Sequence, residues 1–177
     1  MTQLRIPDVS LQRSWAEAVA EYNEEFMHGS GLWGIENLDT TEEGCAAVVT
    51  HLLAQGDPAT EMPEGIVPSN YYWITEDGEF VGYLALRHSL TQWLLDEGGH
   101  IGFSVRPSRR RQGHARRALA LALIEAKELG LDRVLLTCDD DNDGSRLTIE
   151  GNGGVFEDSR NGKLRYWIDI EGSSAGQ

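Results

Sequence analysis

The chain has 177 residues, which suits a single domain over positions 1–177, and 40% of them are hydrophobic, enough to bury a sizeable core. Its net charge of −14, from 15 basic and 29 acidic residues, sets a surface that repels nucleic acid and anionic membrane, so neither is expected as a partner. No apolar run is long enough to span a bilayer, and residues 1–10 lack the basic-then-apolar pattern of a secretory leader, so the cytoplasm is the expected location. The two cysteines, Cys45 and Cys138, form no CxxC pair, which leaves no disulfide framework and no zinc signature; no metal is expected.

In chain order, Leu11, Trp15, Val19 and Tyr22 recur at helical spacing after Ser10 and predict a helix that stops near Gly29. A loop over 29–39 follows. Thr40 with Glu43 reads as a capping box opening a second helix to about Ala54, and the three prolines Pro58, Pro63 and Pro68 make 56–69 a connection. Residues 71–75 and 79–87 are rich in aromatic and branched side chains around Asp77-Gly78, a hairpin signal. A short helical turn is expected over 90–95, ended by Gly98-Gly99, and a strand over 100–105 before Pro107. Ala115, Leu119, Ala122, Leu123 and Ala126 lie on one face of a helix closed by Gly130. Residues 134–138 form a continuous apolar strand of the kind buried on both faces. Asn142 caps a further helix to about Gly151, and strands at 155–156 and 164–170 turn at Asn161-Gly162, leaving a low-complexity tail over 172–177 that is expected to be unstructured. This order predicts a mixed α/β or α+β domain with helices on both sides of a sheet.

The segment with chemical content joins the strand over 100–105 to the next helix. It concentrates Arg106, Arg109, Arg110, Arg111, Arg116 and Arg117 in an otherwise acidic protein. Arginine at a helix N-terminus opposes the macrodipole, so a local anion explains the cluster better than stability does. Gly113 lets the backbone approach such an anion, the free N–H groups of the helix start can bind it, and Ala115 keeps the next turn open.

Arg110-x-x-Gly113-x-Ala115, preceded by a strand and Pro107, resembles the cofactor motif of the GNAT acetyltransferase superfamily, Arg/Gln-x-x-Gly-x-Gly/Ala. The resemblance runs from about Val67 to Asp158. Leu86-Arg87-His88, Gly98-Gly99-His100-Ile101-Gly102 and Ile149-Glu150-Gly151-Asn152-Gly153-Gly154 are similar to pieces of a group of bacterial acetyltransferases. It implies a core over about 67–170, built on a mixed, mostly antiparallel sheet with helices on both faces and one splayed strand pair that admits acetyl-CoA. It implies that the backbone of Phe103, Ser104 and Val105 pairs with the pantetheine arm, and that the segment Arg110, Arg111, Gln112, Gly113, His114, Ala115 and Arg116 holds the pyrophosphate. Asn142 and Ser145 match the family's Asn-x-x-Ala positions near the cofactor, with Ser145 in place of Ala.

The implied reaction is direct attack of a primary amine on the thioester, with the acidic surface favouring a small cationic acceptor. Such an amine must lose a proton, having a pKa of about 10. His88 and His100, at strand ends expected to border the cleft, are the candidate bases, with Glu150 as a further candidate. The position where many relatives carry a tyrosine acid is Ile149. A CoA-binding sensor without catalysis is the alternative this substitution keeps open. Look-alike proteins are often dimers, so a homodimer is allowed, though no residue points to one. One rival motif remains: Asp139-x-Asp141-x-Asp143-Gly144-x5-Glu150 fits the calcium-loop pattern at every ligand position. Against it stand a strand where a helix should enter, Arg146 at the loop's usual apolar position, and the absence of a second loop.

Overall fold

The computed structural model describes residues 1–170; the tail over 172–177 lies outside them. The described chain runs β1 (Gln3–Arg5), α1 (Gln12–Tyr22), α2 (Glu42–Gln55), β2 (Ser69–Glu76), β3 (Glu79–Arg87), β4 (Ile101–Val105), α3 (His114–Glu128), β5 (Arg133–Asp139), α4 (Asp143–Glu150), β6 (Val155–Arg160) and β7 (Lys163–Asp169). The strands form two sheets, ordered β1-β2-β3-β4 and β5-β7-β6, and every ladder is antiparallel. The hairpins β2–β3 and β6–β7 close at the two expected turns, with Glu76 paired to Glu79 and Arg160 to Lys163.

Two cores sandwich the first sheet. Ile74, Val81, Leu84 and Leu86 face Ala118, Leu119, Ala122 and Ala126 of α3, together with Val134, Leu136 and Ile168 of the second sheet. Trp73, Phe80 and Tyr83 face the opposite way onto Trp15, Ala18 and Tyr22 of α1 and Cys45, Val48 and Leu52 of α2. Strands β2 and β3 are thus buried on both sides. Full burial of each such side chain contributes about 1.5–3 kcal/mol. Polar tips inside the second core are largely matched: the Trp15 indole N–H donates to the Tyr83 hydroxyl at 2.8 Å.

Several boundaries differ from expectation. The first helix ends at Tyr22, and the chain reaches Gly29 through turns. The second helix is capped by Thr41, whose hydroxyl accepts from Gly44 N at 3.2 Å, so the Thr40–Glu43 box is displaced by one residue. The turn expected over 90–95 is a π-helical turn over Leu94–Gly98. Strand β6 is longer than the two residues its apolar pair indicated. Strand β1, missed because three residues give too little alternation, pairs Leu4 with Ile74. Thr2, just before it, is tied to α3: its Oγ1 lies 2.9 Å from His114 Nδ1 and accepts from Arg117 Nε at 2.9 Å.

Candidate active site

The two sheets meet at one point and then separate. His100, just before β4, donates its backbone N–H to Leu135 O at 2.7 Å, and Leu135 N donates to the His100 ring Nδ1 at 2.9 Å. Beyond that joint β4 and β5 share no ladder, and Phe103, Ser104 and Val105 line the same cavity as Thr137, Cys138 and Asp139. The β4 backbone is oriented by its ladder with β3. Arg106 N donates to Val81 O and Arg87 N donates to His100 O, so the even-numbered residues turn their polar groups to β3. Phe103 and Val105 therefore present theirs to the gap. Ser104 does not: its backbone belongs to the ladder with Tyr83, and its hydroxyl donates to His28 O at 2.8 Å.

At the far end of the gap the chain turns into α3. Gly113 is the residue before the helix and sits at φ +82°, a conformation that side-chain-bearing residues rarely adopt. The N–H groups of Arg111, Gln112, Gly113, His114, Ala115 and Arg116 have no acceptor among the described residues. Six consecutive free donors at a helix start make a site for a phosphate-like anion.

The arginine cluster divides differently from the sequence expectation. Arg106 is buried and tied to Glu21 by its Nε at 3.1 Å, and its guanidinium also donates to Phe80 O at 3.2 Å and Ser14 O at 3.3 Å. Arg109 pairs with Glu79 at 2.9 Å and Arg110 with Glu25 at 2.7 Å. Arg110 Nε also donates to Val105 O at 2.9 Å, using up a carbonyl on the open edge of β4. Arg117 is held by Thr2 and Gln112 O. Much of the cluster thus serves the fold. Arg111, exposed and with φ +62°, has a guanidinium without a partner among the described residues.

The gap opens into a cavity of about 1190 Å³. Of the residues chosen from sequence, β4 supplies Phe103, Ser104 and Val105, and the turn supplies Arg110, Arg111 and Gly113. The first turn of α3 adds His114, Ala115 and Arg116, with the His114 side chain directed into the core; α4 adds Asn142 and Ser145, whose contact is the Asn142 carbonyl oxygen capping Ser145 N at 3.1 Å. Gln112 is exposed and does not line the cavity; its side chain donates to Ser108 O at 3.3 Å.

None of the three catalytic candidates borders the cavity. His100 is buried, its Nδ1 is spent on Leu135 N, and burial with the nearby Arg87 charge pushes its pKa down to about 4. Its role is to fasten β4 to β5. His88 Nε2 lies 2.9 Å from Asn70 Oδ1, a structural contact at the end of β3. Glu150 accepts from the Tyr166 hydroxyl at 3.1 Å and pairs with Arg146. Ile149 is fully buried beneath α4.

His28 does line the cavity, together with Glu25, Glu97 and Asp139, although it stood at the end of the expected first helix. Neither ring nitrogen has a hydrogen-bond partner among the described residues, and the ring lies edge-on to Phe26 at 4.7 Å. Burial, with help from the Lys163 and Arg87 charges, holds its pKa below the usual histidine value. It is therefore neutral near pH 7 and free to accept a proton.

The acidic run over 139–150 is distributed rather than convergent. Asp139 pairs with Lys163, Asp143 and Glu150 both pair with Arg146, and no group of three or more His, Cys, Asp or Glu side chains converges among the described residues. No helix of those residues is long and apolar enough to cross a membrane.

Comparison with known proteins agrees with this geometry. The chain is similar to Mycobacterium smegmatis RimJ in complex with CoA-disulfide, with 21% identity, a TM-score of 0.71, and coverage of 99% of this chain and 85% of that one. It is similar to YncA from Salmonella typhimurium with its cofactor acetyl-CoA, at 14% identity, TM-score 0.61, and 99% and 98% coverage. RimL, a ribosomal alpha-N-protein acetyltransferase, matches at 17% identity, TM-score 0.62, and 96% and 90% coverage. No curated protein matches the sequence. Residues 34–150 match the model of the acetyltransferase (GNAT) family. With that match covering most of the described chain, and a split strand pair leading to a glycine-started helix, the protein belongs to the GNAT acetyltransferase family.

Proposed function

We propose that the protein transfers the acetyl group of acetyl-CoA to a primary amine, with His28 as the base. The observation that supports it best is the row of six unpaired amides at Arg111–Arg116, placed where the β4–β5 gap ends. In this reading those amides and the Arg111 guanidinium take the pyrophosphate. The free N–H and C=O of Phe103 and the N–H of Val105 take the pantetheine arm as an added strand. Asn142 and Ser145 border the cofactor side of the cavity.

The acceptor enters from the side lined by Tyr71, Arg87 and Trp93. His28 removes a proton from the ammonium, and the amine nitrogen attacks the acetyl carbon. A C–N bond forms, the second nitrogen proton passes to water as the tetrahedral adduct collapses, the C–S bond breaks, and CoA leaves as a thiolate. The proton now on His28 can be returned to that sulfur, directly or through water, which removes the need for an acid at the position of Ile149. A small cationic acceptor is what the outer charge favours; RimL's named activity adds protein N-termini to the acceptors worth testing.

The test is a transfer screen of acetyl-CoA against amines, including amino acids, polyamines and short peptides, read by mass spectrometry of the acetylated products. Acetyl transfer in the wild type that is lost in His28→Ala, with acetyl-CoA affinity retained by calorimetry, supports the assignment. Equal turnover in the variant removes His28 from the reaction.

A further inference from the structure

Arg87 ends β3 and lines the cavity on the acceptor side. Its Nη1 is held by two carbonyls, donating to Gly98 O at 3.2 Å and Gly99 O at 3.1 Å. Nothing accepts from its Nε or Nη2 among the described residues, and no carboxylate forms an ion pair with it. Neither nitrogen is among the enclosed unpartnered atoms, and Arg87 lines the cavity. Burial pulls its pKa below the usual arginine value, which marks a cation largely withdrawn from water without a counter-ion.

Such an arrangement is costly in a folded protein, where buried charges are normally paired. Three other well-held arginines have found carboxylates: Arg106 has Glu21, Arg160 has Asp96, and Arg165 has Glu157 and Asp158. Arg87 differs in that it lines the cavity with Nε and Nη2 unpartnered and no carboxylate paired to it among the described residues. Two adjacent N–H donors in one plane match the two oxygens of a carboxylate. His28 lines the same cavity, so one acceptor can present its carboxylate to Arg87 and its amine to His28.

Resting on the acetyltransferase reading above, we infer that the acceptor is a small amine carrying a carboxylate close to the amino group, an α-amino acid or a near derivative, and that Arg87 binds that carboxylate. The acidic outer surface then has no part in selecting the acceptor, and a polyamine or other purely cationic molecule would be rejected at Arg87 by like charge.

The experiment compares matched acceptors. Release of CoA thiol is followed for each α-amino acid, its amide, and the decarboxylated amine of the same side chain, with the wild type, Arg87→Met and Arg87→Lys. Acetyl-CoA affinity is measured on each protein by calorimetry. The expected result is a kcat/KM about tenfold or more higher for the acid than for its amide, carried mainly by KM, since one charge-assisted contact is at stake. In Arg87→Met the ratio collapses to near one, and Arg87→Lys retains part of it. The wild-type ratio is informative even where a variant fails to fold. The inference is overturned by amides, polyamines or peptide N-termini accepting acetyl as well as or better than the acids, by a ratio unchanged in Arg87→Met, or by no transfer to any acid from a protein that binds acetyl-CoA. Failure to bind acetyl-CoA at all would instead remove the cofactor reading first, so the two failures are distinguishable.

Discussion

Two histidines show how environment rather than residue type assigns roles. His28 and His100 both have lowered pKa values, chiefly from burial, yet only His28 has free ring nitrogens in the cavity. A base works only when unprotonated, so the rate for a given amine should rise as pH passes upward through the His28 pKa, below the usual histidine value. A pH profile of kcat/KM checks this: the acid limb present in the wild type should be absent in His28→Gln, whose residual rate should be lower by about a hundredfold. His100 acts on stability instead. The unfolded chain protonates it from about 6.5 downward, whereas the folded protein resists until about 4. Between those values the unfolded state binds more protons, so stability should fall as pH drops through this window. His100→Asn, which keeps an acceptor for Leu135 N, should flatten that dependence. His100→Ala, which orphans Leu135 N, should cost about 1–3 kcal/mol in chemical denaturation at pH 7. Neither should slow turnover per folded molecule, and a large loss of kcat in a well-folded His100→Asn would return His100 to the chemistry.

At the scale of elements, the turn into α3 was legible and the loop into the cavity was not. Glycine at a helix start followed by a small residue is a local pattern, and Gly113 and Ala115 stand where that pattern predicts. The arginines around them were only half legible, because composition cannot say which guanidinium meets Glu21, Glu79 or Glu25 from elements some 30 to 90 residues away. The loop before α2 is fixed by a contact of the same non-local kind. A Cβ on Gly29, at φ +78°, would stand 2.4 Å from Gly102 O, so the loop carrying His28 lies directly on β4. The α3 turn gives the sharper prediction. Gly113→Asp would place a carboxylate among the six free amides, while the nearest atom its Cβ meets is the flexible end of Arg117 at 2.8 Å. The fold should survive with a small loss from the positive φ. Acetyl-CoA affinity should fall by a hundredfold or more, roughly 3 kcal/mol, from like-charge repulsion and lost charge-assisted contacts. Calorimetry on the folded variant decides it, and an unchanged Kd would remove the pyrophosphate from this turn.

On the scale of the whole molecule, the splayed strand pair was implied by the family resemblance and not by the local pattern of either strand. Residues 100–105 and 134–138 each read as a strand, but nothing in either segment states that they touch at His100 and Leu135 and then part. The separation leaves much of the open edge of β4 without ladder hydrogen bonds, while α3 and the core that Leu119, Ala122 and Val134 share hold the sheets together behind it. A ligand filling the gap supplies contacts to β4, to the α3 terminus and to α4 at once, and it binds the folded state alone. Its effect on stability is then fixed by mass action: at a hundred times Kd it adds about 2.7 kcal/mol. For a domain of this size that corresponds to a rise in Tm of about 5–10 °C. Thermal unfolding with acetyl-CoA should show this rise in the wild type and almost none in Gly113→Asp. Free pantetheine, which lacks the diphosphate and so leaves the six amides unfilled, should give a much smaller rise at equal concentration. A pantetheine shift matching that of acetyl-CoA would mean that the gap between the strands does the binding and the helix terminus contributes nothing.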